Sequence, residues 1–302
     1  MNSKPLVSII CTAYNLEKYI AEAIEGFLMQ KTDFEYEILI GEDCSRDSTR
    51  SIIEKYIERH PGLIKMVTST HNVGHIRNHN RLIEKARGKY LAICDGDDYW
   101  TSAHKLQKQV DFLEHHSDYI ICCHYSKVID EKDNLLYVDS KPAPLTYGYS
   151  DILRWNKRET RTSTLLIRNT DDFRSLTRQN WFLNCHSNDT IFKLFATYQS
   201  GKKIYVMPEV MSIYRIHRGG IWSLANSQFK KKKMRKDFGI VLENFKYSSS
   251  QKRGLLHLYL RRYLYHDLKS GSLHQVYSTF KKLVLTFSKT GFAAAIFQEV
   301  MF

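Results

Sequence analysis

Ala92-Ile93-Cys94-Asp95-Gly96-Asp97-Asp98-Tyr99-Trp100 decides how this chain is read. The apolar run from Tyr90 to Cys94 reads as a buried strand. It ends in three carboxylates within four residues, with a glycine after the first. Open α/β sheets bind their ligands at the carboxyl ends of strands. Three acids crowded there repel one another, and a bound cation relieves the repulsion. An all-oxygen ligand set selects a hard divalent ion, Mg²⁺ or Mn²⁺, over zinc. A metal held by about two carboxylates keeps positions open, and phosphate oxygens fill them. The stretch therefore reads as a metal–phosphate site, against the plainer alternative of an acidic, solvated turn.

Outward from it, strand and helix signals alternate. Residues 6–11 form a β-branched run, and residues 16–29 place Ile20, Ala23, Ile24, Phe27 and Leu28 on one helical face. A strand at 36–40 follows, then a helix at 49–59 opened by Asp47-Ser48-Thr49 and closed by Pro61-Gly62. A strand at 64–68, a helix at 77–86 stopped by Gly88, and the strand at 90–94 complete a βαβαβαβ run. Such a run predicts a mostly parallel sheet with helices on both faces. A helix at 106–115 and a strand at 119–125 extend it, and residues 126–225 are less regular. In a parallel sheet, Thr12-Ala13-Tyr14-Asn15, Glu42-Asp43 and the acidic cluster fall at one edge and line one crevice. Tyr14 could stack on a base there, and Asp43 could accept from a base N–H or a ribose hydroxyl. Neither a G-x-G-x-x-G fingerprint nor a Walker A loop occurs, which disfavours redox cofactors and P-loop chemistry.

The chain has 302 residues, 43% of them hydrophobic, enough for one large domain plus an appendage. No apolar stretch is long enough to span a bilayer, and the N-terminus lacks a secretory h-region, so the chain is expected to begin in the cytoplasm. The six cysteines show no zinc-type pairs and read as reduced, mostly buried hydrophobes. Residues 226–302 carry fifteen Lys or Arg against four acids, +11 of the total +13. The organisation expected is thus a balanced α/β part, 1–225, and a basic, amphipathic helical region, 226–302.

These residues resemble family 2 glycosyltransferases, which have the nucleotide-diphospho-sugar transferase (GT-A) fold. The resemblance is carried by the segments 7–15, Glu42-Asp43-Cys44-Ser45 with Asp47-Ser48-Thr49, Asn72-Val73-Gly74, and 86–90 leading into the acidic cluster. It implies a Rossmann-like, mostly parallel sheet flanked by helices, with the basic helical region as a C-terminal extension. It further implies that Thr12, Ala13, Tyr14, Asn15, Glu42 and Asp43 hold the nucleoside, with Arg77 as a diphosphate or base contact. Asp95, Gly96 and Asp97 would meet the donor diphosphate, and Asp97, Asp98 and His217 the metal. Two features depart from the family pattern: Glu42-Asp43-Cys44 where Asp-Asp-Gly is commoner, and the unusual His75 and His79 beside Arg77.

Sugar transfer needs a base for the acceptor hydroxyl and charge stabilisation for the leaving diphosphate. The resemblance points to Asp189 as the base, just before a helix at 190–196; the plainer alternative is that Asp189 caps that helix. The segment 214–223 is expected to close over the donor, with Arg218 meeting a phosphate. Direct attack by the acceptor would invert the anomeric centre. The activity that the resemblance implies is that of an inverting hexosyltransferase, moving sugar from a nucleotide-sugar, a UDP-sugar by the same resemblance, to a glycan or lipid-linked acceptor in cell-surface polysaccharide synthesis. A sugar-nucleotide nucleotidyltransferase would want a glycine-rich, basic loop after the first strand, which 12–15 is not. An inactive nucleotide-binding scaffold is the other alternative. In the basic region, Leu255, Leu256, Leu258, Tyr259, Leu260, Tyr263 and Leu264 surround Arg261-Arg262, and Phe280, Leu283, Val284 and Phe287 flank Lys281-Lys282. Such helices can lie on an anionic membrane, here the inner face of the cell membrane, or else cover the catalytic part or form a homodimer. No nucleic-acid motif accompanies the basic residues, so no nucleic acid is expected.

Overall fold

A computed structural model of the chain describes residues 4–154, 160–220 and 226–264, with a few further positions up to 281. The strands are β1 (Val7–Ala13), β2 (Tyr36–Glu42), β3 (Ile64–Thr68), β4 (Tyr90–Ile93), β5 (Tyr99–Trp100), β6 (Tyr119–Asp130), β7 (Leu135–Tyr137), β8 (Leu145–Tyr147), β9 (Leu166–Arg168) and β10 (Lys203–Ile216). The α-helices are α1 (Ile20–Leu28), α2 (Thr49–Arg59), α3 (His75–Lys85), α4 (Lys105–His115), α5 (Tyr149–Leu153), α6 (Asp171–Arg174), α7 (Asn188–Ser200), α8 (Ser227–Asn244) and α9 (Ser249–Tyr259). All strands join one sheet of order β3-β2-β1-β4-β9-β6-β10-β5, with β7 on β6 and β8 on β10. β1 to β4, β6 and β10 share one direction, and β9 enters antiparallel between β4 and β6. The mostly parallel α/β sheet expected from the alternation is therefore present.

Successive residues of β1 face opposite sides, as a pleated strand requires. Ile9 and Cys11 join a core with Ile24 and Phe27 of α1, while Ile10 joins a second core with Leu82 and Ile83 of α3. Both faces are covered, which is why β4 is apolar throughout and β1 is buried along its whole length rather than alternating. The six cysteines are free, and only Cys44 is exposed.

The region 126–225 escaped the sequence pattern for two reasons. β9 is three residues long, too short to carry a period, and β10 slips register between Met207 and Val210, around Pro208, which has no N–H to give the ladder. β10 matters because β5 pairs with it through Ser212 and Ile213, which brings the end of β10 back to the acidic loop.

Of the alternatives open to the apolar residues at 255–264, a membrane, a second copy or the catalytic part, the structure shows packing on the chain's own helices. Leu255, Leu256, Tyr259 and Tyr263 are at most 2% exposed and share one core with Phe238 and Val241 of α8 and Ile191 and Phe195 of α7. Amphipathic helices bury their apolar stripe wherever a protein surface is offered, and here α5 and α7 offer it. Among the described residues, no helix is long and apolar enough to cross a membrane. Phe280, Lys282, Leu283, Val284, Phe287 and the segment 292–302 lie outside the described residues.

One buried carboxylate ties the first three parallel strands to the turn before β4. Glu37 accepts from Ser8 Oγ at 2.8 Å, Lys65 Nζ at 2.9 Å and Arg87 N at 3.0 Å. Burial opposes its ionisation, but these donors outweigh burial and hold its pKa below the ordinary value. A depressed folded-state pKa gives stability that is complete above the unfolded value, about 4.3, and is lost as pH falls through the folded value. Urea unfolding of wild type and Glu37→Gln from pH 7 to pH 3 should show a stability gap that is widest at neutral pH and closes on acidification. A gap independent of pH would refute this reading.

Candidate active site

β1, β2 and β4 end side by side, and hydrogen bonds lock their loops together. Asn15, in the left-handed region at φ 53°, donates its N–H to Ser45 Oγ at 3.0 Å and accepts from Arg46 N at 2.8 Å. Leu16 N donates to Thr49 Oγ1 at 2.7 Å. This clamp leaves Tyr14 at the tip, 39% exposed, with a ring face available for stacking. Cys44 also adopts a left-handed φ, 62°, at the position where the family pattern favours glycine. A Cβ there costs about 1 kcal/mol, and the loop tolerates it.

Glu42 and Asp43 face inward. Glu42 is 1% exposed and accepts from Ser45 N at 2.6 Å. Asp43 accepts from Val73 N and Gly74 N, both at 2.9 Å, and from Ser69 Oγ at 3.2 Å, while its own N–H donates to Ala13 O. The Asp43 carboxylate, expected to meet the nucleoside, also anchors the 69–74 turn at the start of α3.

Three acids leave the end of β4 in three directions. Asp95 accepts from Thr12 Oγ1 at 2.5 Å and lies 3.3 Å from His79 Nε2. Burial opposes its ionisation, and His79 and Thr12 more than compensate, so its pKa lies below the usual carboxylate range. Gly96 follows because a Cβ there would fall 2.8 Å from Ile20 Cδ1 and 3.1 Å from Thr12 O. Asp97 meets His217 at the end of β10, Oδ2 to Nε2, at 3.0 Å, and His217 packs on the Tyr19 ring.

Asp98, expected among the metal ligands, is held by the protein itself. It is 3% exposed and accepts the backbone N–H of Arg215 at 3.0 Å. Burial, reinforced by Asp97, pushes its pKa well up. It fastens β10 to the acidic loop. Among the described residues, no three His, Cys, Asp or Glu side chains converge as a metal cage.

Arg77 is exposed and lines a cavity of about 270 Å³ with Lys233 and His186. Arg218 is also exposed, 3.6 Å from Glu131; Ile221, Trp222 and Ser223 lie outside the described residues. Burial, then His79, pushes the His75 pKa down to about 4.

The helix carrying Asp189 begins two residues earlier than expected, so Asp189 sits inside the first turn of α7. Its Oδ2 lies 3.3 Å from Nζ of buried Lys193, which also donates to Thr160 O at 2.7 Å and Thr160 Oγ1 at 3.0 Å. Two contacts join α7 to the rest of the site. Asn188 Nδ2 lies 3.2 Å from His79 Nδ1, the ring whose other nitrogen faces Asp95. Asp237 of α8 accepts from His186 N, Ser187 N and His186 Nδ1, each at 3.0 Å. Sequence reasoning assigned no role to His79 or Asp237. The signal for His79 was periodicity, since Ile76, His79 and Ile83 share the buried face of α3.

The glycosyl transferase family 2 profile matches residues 8–185. An uncharacterized protein of Mycobacterium bovis is 35% identical over 229 residues, 74% of this chain and 63% of that protein. The Escherichia coli UDP-Glc:alpha-D-GlcNAc-diphosphoundecaprenol beta-1,3-glucosyltransferase WfaP is 34% identical over 144 residues, 47% of this chain and 54% of that enzyme. The chain thus spans less than two thirds of the length of these relatives. In structure it resembles S. aureus TarS 1–349 in complex with UDP-GlcNAc, with a TM-score of 0.64 at 21% identity over 94% of this chain and 80% of that one. That likeness shows the fold to be of the GT-A type, and the profile match shows that the chain belongs to glycosyl transferase family 2.

Proposed function

We propose that the chain is an inverting, metal-assisted glycosyltransferase that moves a sugar from a UDP-sugar to a glycan or lipid-linked acceptor of a cell-surface polysaccharide. The observation that carries this is the 3.0 Å meeting of Asp97 and His217 beside the Thr12–Asp95 pair. A separation of about 3 Å is the edge of an octahedron with bonds of about 2.1 Å, so the two side chains suit Mg²⁺ or Mn²⁺. With two protein ligands, the remaining positions fall to water and donor phosphate. When bound, the ion would act as a Lewis acid on the leaving diphosphate.

The chain's own residues do the rest. Tyr14 stacks on the base, and Thr12 and His79 fix Asp95 against the donor. Asp189 accepts the proton of the acceptor hydroxyl, whose oxygen bonds to the anomeric carbon as the bond to the diphosphate breaks. A single displacement inverts that carbon. The lipid-linked acceptor is supported by the E. coli relative, a glucosyltransferase acting on a diphosphoundecaprenol-linked sugar.

Calorimetry tests the reading. UDP should bind in Mg²⁺ or Mn²⁺ and far more weakly in EDTA. Equal affinity in both would remove the metal from the proposal, and product NMR showing retention would refute the single displacement.

A further inference from the structure

Beside the donor crevice, the start of α3, the turn before α7 and the start of α8 enclose the cavity of about 270 Å³. Its polar lining is basic, and among the described residues no carboxylate lines it. Arg77 projects from the first turn of α3, and Lys233 from α8. Lys233 Nζ donates to His186 Nε2 at 2.9 Å, so the other ring nitrogen of His186 carries the hydrogen that goes to Asp237. Asp237, at 3% exposure, accepts from the N–H groups of His186 and Ser187 and lies behind the cavity wall rather than in its lining. The positive end of the α3 dipole adds to the two cations. The other walls are apolar: Ile76, Leu183 and Phe229, the last with the Lys233 ammonium 5.1 Å from its ring centre.

A neutral glycan would leave both cations without a counter-charge, and a bare anion would leave the Phe229 and Leu183 walls wet. An amphiphilic anion satisfies both. A guanidinium offers a fork that matches phosphate oxygens, and an ammonium adds a point charge. We propose that this cavity is an acceptor subsite that takes a phosphoryl group joined to an apolar chain, with the phosphate between Arg77 and Lys233 and the chain along Phe229 and Leu183. Only the word acceptor rests on the glycosyltransferase reading. His186, at the cavity wall, is three residues from Asp189, so a phosphate held here would bring the head of a carried glycan towards the proposed base.

The test is calorimetry on the full chain saturated with UDP and Mg²⁺, so that the donor's own diphosphate position is filled. The probes are geranyl monophosphate, inorganic phosphate and geraniol. Geranyl monophosphate should bind at least about tenfold more tightly than either of the others. Lys233→Gln should weaken it by about tenfold and Lys233→Arg should restore it, the scale of one charge-assisted hydrogen bond. Phe229→Ala, which leaves the His186–Asp237 contact intact, should erase the preference for geranyl monophosphate over inorganic phosphate. The proposal is overturned if geranyl monophosphate does not bind, if it binds Lys233→Gln as it binds wild type, or if UDP excludes it. Inorganic phosphate binding as tightly as geranyl monophosphate would overturn it in favour of a free-anion site. Failure of UDP itself to bind would instead count against the glycosyltransferase reading.

Discussion

Asp189→Asn is expected to lower sugar transfer by at least about 10², the usual scale for removing a general base, while leaving UDP affinity unchanged. The amide keeps the shape of the carboxylate, and its oxygen can still accept from Lys193, which stays anchored by Thr160. What the amide cannot do is take a proton from the acceptor hydroxyl at neutral pH. The position suits the task, because Asp189 is 29% exposed at the opening turn of α7 rather than sunk in the core. A ground-state binding residue would instead raise KM with kcat intact. Transfer by Asp189→Asn at the wild-type rate would move the base elsewhere.

The sheet was legible in the sequence because its central strands are apolar on both faces and its helices carry clear one-face stripes. β2, β3 and β4 and helices α2 and α4 lie within a residue or two of their expected bounds. The three ligand-bearing loops followed from topology, since parallel strands must end at one edge. What the sequence hid was direction. Asp43, Asp95, Asp97 and Asp98 all sit at the crevice edge, yet Asp43 and Asp98 turn inward onto backbone N–H groups. A carboxylate reads the same in sequence whether it serves a ligand or a turn, and only the position of the donors decides. The basic region hid its packing for a similar reason, because an amphipathic stripe does not say whether lipid or protein covers it.

Asp237→Ala is expected to cost about 3 kcal/mol of stability and to reduce transfer with it. The carboxylate is 3% exposed and receives two backbone N–H groups and one imidazole N–H. Alanine strands all three, and each buried donor left without a partner costs about 1–3 kcal/mol before water compensates. Ser187, at the N-cap of α7, makes no side-chain cap of its own, so Asp237 anchors the start of the helix from across the structure. The contact reaches Asp189 two residues later, and Asn188 carries it to His79 and Asp95. Asp237→Asn keeps one oxygen acceptor and should lose less than Asp237→Ala. Denaturant unfolding and transfer assays on both variants check the order, with UDP affinity as the control; an Asp237→Ala protein as stable and active as wild type would remove the anchor. The family profile ends at residue 185, and His186, Ser187, Asp189 and Asp237 all lie beyond it. A chain cut near residue 223 would lose this anchor and uncover Ile191 and Phe195 as well, so it should aggregate rather than stay soluble. The helix that carries the proposed base is pinned by a residue inside the basic helices, so we propose that α8 belongs to the catalytic unit.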